Sequence, residues 1–253
     1  MHRWLVGAAA GFVVAVCGFG CGEQKVASRE RADAERRLLR EEAAEKPEAE
    51  APGDKGKTTP HWRISPICID AGHGGRDSGV VAEGDILEKD VTLDIARRVR
   101  KALEAAGATV VMTRDGDTFV SLASRTAICN TAGADLFLSI HANGFYDDDV
   151  RGFEIYYLGT RSSPEAGSAA EAIRSALSAA LDTRDRGVRR AEFTVLAWTK
   201  CPAVLVEVGY LTNPQERERL TDDAYRQKIA DAIAAGLVEF GTEPAAPPTE
   251  EAQ

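Results

Sequence analysis

Six short apolar runs punctuate the middle of the chain: Ile64 to Asp70, Ala108 to Thr113, Asp135 to His141, Gly152 to Leu158, Glu192 to Trp198 and Ala203 to Val208. Each is rich in Val, Ile, Leu or aromatic residues and has the length of a buried strand. Between the first two, Val91, Ile95, Val99 and Leu103 recur every four residues and stop at Gly107. That spacing predicts one amphipathic helix with a glycine after its C-terminus. Further helices fit Leu122 to Thr131, Pro164 to Leu181 and Asp222 to Phe240. The alternation predicts a single α/β domain with a mostly parallel six-stranded sheet flanked by helices, the Gly152 to Leu158 run being the candidate for an antiparallel strand. Ligand sites in such sheets lie beyond the carboxyl ends of strands. No internal repeat is visible.

The two ends of the chain read differently. His2 and Arg3 precede an apolar or small stretch from Trp4 to Gly20, followed by Cys21-Gly22-Glu23. This is the pattern of an export signal, too short for a comfortable membrane span. Cys21 after Gly20 resembles a bacterial lipoprotein processing site, whereas Gly18 and Phe19 depart from it. Lipidation at Cys21, ordinary cleavage and an uncleaved anchor therefore stay open. Residues 22–61 are mostly charge and alanine, with Leu38-Leu39 the only bulky apolar pair before Pro52-Gly53, and read as a tether. Residues 243–253, with Pro244 and Pro247-Pro248, read as a disordered tail. The expected organisation is a signal or anchor over 1–21, a tether over 22–61, a catalytic domain over 62–242 and the tail. The expected location is outside the cytoplasm, in the periplasm or cell envelope, with membrane attachment through the N-terminus or a lipid.

Charge and cysteine content narrow the function. Forty acidic residues face 31 basic ones, with no Lys/Arg cluster in the domain, so nucleic acid is not an expected partner. A domain of roughly 180 residues buries enough apolar surface to fold without a metal or disulfide, so any metal is expected to serve chemistry. Of five cysteines, two lie in the signal; Cys68, Cys129 and Cys201 remain, with no zinc-type spacing. Buried, inert thiols are the default, and the sequence assigns no disulfide among them.

Two histidines stand just past apolar runs: His73 in Asp70-Ala71-Gly72-His73-Gly74-Gly75, and His141 in Ser139-Ile140-His141-Ala142-Asn143. A single histidine there is as well explained as a satisfied core residue. The pair, together with Glu88 at the start of the amphipathic helix, suggests a metal site, if the intervening loop folds back. An acidic residue in a first helical turn is otherwise ordinary, because it complements the helix dipole. Two imidazoles and a carboxylate, with one position left for water, is the usual ligand set of catalytic zinc. The glycine-rich turn lacks the residues of either nucleotide fingerprint. Glu207 is the lone carboxylate in Ala203-Val204-Leu205-Val206-Glu207-Val208-Gly209. A carboxylate buried there is costly unless paired, protonated or near a metal, so it is the candidate proton acceptor.

These residues, with Thr113-Arg114, Arg125 and Pro202 to Asn213, resemble the zinc-dependent N-acetylmuramoyl-L-alanine amidases of the third amidase type across the whole domain. The resemblance implies Zn2+ held by His73, Glu88 and His141, a catalytic Glu207, and peptidoglycan as substrate. The bond cut would be the amide between the lactyl group of N-acetylmuramic acid and L-alanine of the stem peptide. It leaves Thr113-Arg114 and Arg125 without a chemical role. A zinc peptidase acting on stem peptides and a non-catalytic wall-binding module are the alternatives. Some similar proteins carry a long insertion with a helix that plugs the zinc site. Here Gly159 to Ala191 has room for one ordinary helix, so no activator protein is expected to be needed.

Overall fold

A computed structural model of the chain describes residues 62–158 and 165–242. The readings for residues 1–21, 22–61 and 243–253, Cys21 included, lie outside the described residues. Among the described residues, no helix is long and apolar enough to cross a membrane.

The domain is an α/β sandwich around one six-stranded sheet. Its strands are β1 (Ile67–Ala71), β4 (Val110–Met112), β5 (Leu136–Asn143), β6 (Phe153–Tyr157), β7 (Asp185–Arg190) and β8 (Ala203–Tyr210), in the order β4-β1-β5-β8-β6-β7. All neighbouring pairs are parallel except β6–β8, which is antiparallel, as the Gly152 to Leu158 run suggested. A separate two-stranded ribbon, β2 (Val81–Ala82) with β3 (Ile86–Leu87), sits in the loop after β1.

Side chains alternate between faces along a strand, and here the two faces are covered unequally. Ile67, Ile69, Leu136, Leu138, Ile140, Val204, Val206, Phe153 and Ile155 form the main core. It packs under α1 (Glu88–Ala105), α3 (Glu165–Ala180) and α6 (Asp223–Gly241). The predicted helical stripe Val91, Ile95, Val99 and Leu103 is buried, and Gly107 takes φ 90°, where glycine is unstrained. The other face carries a smaller cluster of Cys68, Phe137, Ala203 and Leu205 under α2 (Leu122–Ala132) and the single turn α4 (Thr194–Ala197). Helix α2 starts at Ser121, whose hydroxyl accepts from Ser124 N, and ends at Gly133 with φ 62°. This thinner cover leaves the carboxyl ends of β1, β5 and β8 accessible.

One predicted strand is corrected. Glu192 to Trp198 is not a strand; Trp198 N bonds to Thr194 O at 3.0 Å, closing the α4 turn. Val195 and Leu196 are adjacent and both buried, while Phe193 and Trp198 stay exposed, which suits a helical turn and not a two-residue alternation. The sixth strand is instead β7, Asp-Arg-Gly-Val-Arg-Arg. It lies at the edge of the sheet, where charged side chains are common and discourage pairing with other chains, and its low apolar content hid it. The helix α5 (Pro214–Thr221), capped by Asn213, is also an element beyond the periodicity.

Candidate metal centre

After β1 the chain turns sharply, and His73 sits at φ 59°. A non-glycine residue in that region costs about 1–3 kcal/mol and persists only when its surroundings enforce it. Two buried arginines do so by collecting the carbonyls of the turn. Arg114 donates from Nε to Ala71 O (2.9 Å) and from Nη2 to Gly72 O (2.7 Å). Arg125 donates from Nη1 to Ala71 O (2.7 Å) and from Nη2 to His73 O (2.6 Å). The Arg125 Nη1 group also meets Asp70 Oδ1 at 2.7 Å, and Asp70 further accepts from Thr113 Oγ1 (2.6 Å) and Ser139 Oγ (2.8 Å). Thr113, Arg114 and Arg125, for which the sequence suggested no role, thus hold the histidine loop in place.

The β2–β3 ribbon brings Glu88 to the same place. Glu88 N bonds to Val80 O, while its Oε2 accepts from Val80 N at 2.9 Å and its Oε1 from Ala142 N at 3.1 Å. His141 Nδ1 lies 2.9 Å and His73 Nε2 3.1 Å from Glu88 Oε1. The two rings stand nearly perpendicular, at 83°, with centroids 4.9 Å apart. Close approach depends on two glycines. A Cβ on Gly72 would fall 2.4 Å from the His141 ring, and one on Gly79 would fall 2.4 Å from Glu88 Oε2.

The three ligand atoms lie within 4.8 Å of one another, and this is a group able to coordinate a divalent metal ion. Two nitrogens and one carboxylate oxygen fit zinc by donor type. Behind them, His73 Nδ1 pairs with Asp77 Oδ1 at 2.9 Å, which fixes the ring and directs Nε2 toward Glu88. The sequence reading missed Asp77, although its position four residues after His73 is a usable signal.

Charge logic in the cluster is strong. Burial pushes Glu88 up, but hydrogen bonds and charge from His141 and His73 bring it down to about 2. Burial pulls His73 down, yet Glu88 and Asp77 raise it to about 9. For His141, burial opposes and Glu88 and Glu207 favour the proton, with a net upward shift.

Glu207 on β8 stands in register with His141 on β5 and with Glu154 on β6. Register partners share a face, so the three side chains form a row. Glu207 Oε2 is sealed from solvent and has no hydrogen-bond partner. Burial raises its proton affinity to about 7, with His141 opposing and Glu88 and Glu154 reinforcing the rise. Glu154 was also overlooked, although it carries the signal that marked Glu207, a carboxylate within an apolar strand. Its Oε1 accepts from Tyr210 OH (2.5 Å) and Asn143 Nδ2 (3.1 Å), and its Oε2 faces Arg189 Nη1 at 3.3 Å.

The row opens into a cleft of about 470 Å³. His73, His141 and Glu207 line it together with the apolar Phe119, Leu122, Phe193 and Val195.

A family profile described as N-acetylmuramoyl-L-alanine amidase matches residues 67–239. The chain is 45% identical over 174 residues to the N-acetylmuramoyl-L-alanine amidase LytC of Bacillus subtilis, covering 69% of this chain and 35% of LytC. It therefore spans about a third of that relative's length. Among solved structures, the N-acetylmuramoyl-L-alanine amidase AmiC2 of Nostoc punctiforme superposes with a TM-score of 0.65 at 40% identity, covering 69% of this chain and 95% of that one. The catalytic domain of CwlV from Bacillus (Paenibacillus) polymyxa var. colistinus does so with a TM-score of 0.65 at 36% identity, over 69% of this chain and 96% of that one.

Proposed function

The chain belongs to the N-acetylmuramoyl-L-alanine amidase family, and on that premise we propose that it is a zinc-dependent peptidoglycan hydrolase cutting the amide between N-acetylmuramic acid and L-alanine. The observation that carries this reading is the convergence of the ligand atoms of His73, Glu88 and His141 within 4.8 Å of one another, the two histidines lining a cleft, with Glu207 in register with His141. When bound by these three ligands, zinc would supply Lewis acidity that polarises the amide carbonyl and lowers the pKa of water. The remaining work falls to the protein. Glu207, which lines the cleft, takes a proton from the attacking water and returns it to the departing nitrogen of L-alanine. The apolar walls of the cleft exclude competing water and position the substrate.

The chain is proposed to act without an activator. Among the described residues, the ligand group has three members and no fourth protein ligand. Helix α3, in the Gly159 to Ala191 stretch, is packed against α6 and the sheet. Residues 1–21 and 22–61 support export to the envelope and retention at a membrane, with Cys21 the site of any lipid.

The test is digestion of purified sacculi by the zinc-loaded full chain alone, followed by end-group analysis. New L-alanine amino termini and unmodified glycan reducing ends are expected. New amino termini at other stem residues would instead identify a peptidase, and intact sacculi would reject hydrolysis. Cell fractionation with mass spectrometry of the mature N-terminus decides anchoring. A soluble chain lacking Cys21 would reject it.

A further inference from the structure

Three thiols lie on the thinly covered face of the sheet: Cys68 on β1, Cys129 on α2 and Cys201 just before β8. Cys129 and Cys201 are 72 positions apart in the chain, yet their Sγ atoms lie 3.7 Å from each other. A neighbouring clamp holds them there. Asn130 donates from Nδ2 to Trp198 O (3.0 Å) and accepts at Oδ1 from Lys200 N (2.9 Å). These bonds dock the end of α2 on the loop that leads to Cys201. A disulfide requires the sulfurs to close to about 2.05 Å.

We propose that Cys129 and Cys201 are an oxidative modification site, forming a disulfide that ties helix α2 to the segment leading into β8. Helix α2 supplies Leu122 and Arg125 to the lining of the cleft, and the segment ending near Trp198 supplies Phe193 and Val195. The disulfide would join two elements that both line the cleft. Cys201 is partly exposed whereas Cys68 is fully buried, so an incoming oxidant meets Cys201 first. The oxidant required is a disulfide-bearing compound or thiol oxidoreductase, of the kind present outside the cytoplasm. The Cys201 thiolate attacks one sulfur of that disulfide and expels the first thiol. The Cys129 thiolate then attacks the Cys201 sulfur and expels the second. Two protein thiols lose two protons and two electrons, and one disulfide is reduced to two thiols.

Both thiols resist ionisation. Contact with Cys201 lowers the Cys129 thiol, but Cys68 and burial outweigh it and push it up to about 12; contact with Cys129 and burial also raise Cys201. Little thiolate is therefore present at neutral pH, and closure is slow without a catalyst.

The experiment uses the full chain, incubated with oxidised glutathione and a catalytic thiol oxidoreductase, then alkylated and digested with trypsin without reduction. Cys68, Cys129 and Cys201 fall in separate tryptic peptides, residues 64–76, 126–151 and 201–217. The expected product is a crosslink between 126–151 and 201–217. Closing so long a loop should raise Tm by roughly 5–15 °C, reversibly on reduction. Cys201→Ser should abolish the crosslink and the Tm rise, and Cys68→Ala should retain both. Recovery of Cys68, Cys129 and Cys201 all alkylated after oxidation, or a crosslink of either peptide to residues 64–76, would overturn the proposal. The wild-type peptide map decides it even where a variant folds poorly, and it decides it independently of hydrolytic activity.

Discussion

Glu207 and His141 face each other across the β5–β8 ladder, one strand apart and on one face of the sheet. Parallel strands joined by backbone hydrogen bonds hold that relationship more rigidly than a loop could, so the proposed base keeps its place beside the proposed ligand whether or not substrate is bound.

Glu207→Gln preserves shape and removes the proton acceptor. Zinc content should stay stoichiometric while turnover on sacculi falls by roughly 10²–10⁴-fold. Turnover within about threefold of wild type would mean that Glu207 is only a buried structural carboxylate.

His73→Ala and His141→Ala should each lose stoichiometric zinc and activity while keeping the circular dichroism of the parent. The large core lies on the opposite face of the sheet from the ligand group, so the fold does not depend on the metal. Full zinc occupancy in both variants, by elemental analysis, would reject the ligand assignment.

Metal uptake should expel protons. In the metal-free protein His73 is raised to about 9, so that imidazole carries a proton at neutral pH, paired with Glu88, and His141 is shifted in the same direction. A metal accepts only neutral imidazole. Affinity should therefore climb with pH and level off above about 9. The stability of the metal-free protein has the opposite dependence: the raised His73 contributes below its unfolded value, near 6.5, and that contribution is lost as pH rises through about 9. Calorimetry of zinc binding at pH 7.5 in two buffers of different ionisation enthalpy should show release of at least about one proton. Buffer-independent heats would disprove the imidazolium–carboxylate pairing.

Arg125→Ala leaves Asp70 buried without its cation and frees the carbonyls of Ala71 and His73. Loss of about 3–5 kcal/mol of stability is expected. A positioning role makes a second demand: in protein that remains folded at low temperature, zinc affinity should fall because the His73 loop relaxes. Unchanged zinc affinity would confine Arg125 to the core.

The amino-acid sequence by itself determined the layers of this protein and the identity of its chemical groups. Period-four apolar residues from Val91 to Leu103 can bury a stripe only as a helix, and runs such as Leu136 to Ile140 can be satisfied only inside a sheet. His73, His141 and Glu207 stood out because polar groups beside buried strands need partners, while Glu88, ordinary by itself in a first helical turn, gained meaning only beside the two histidines. Strand β7 and helix α4 were not legible for the same physical reason. An edge strand buries little and so carries polar residues, while a single helical turn is too short to display a period. Only the tertiary structure decided which partners each group has. The β2–β3 ribbon folds Glu88 back onto two histidines far away in sequence, and the register of β8 aligns Glu207 with His141 and Glu154. The packing of α2 on β1 turns Arg125 into the counterion of Asp70. Such contacts arise from the relative placement of whole elements, which depends on packing summed over the entire core, and no local stretch of sequence contains that information.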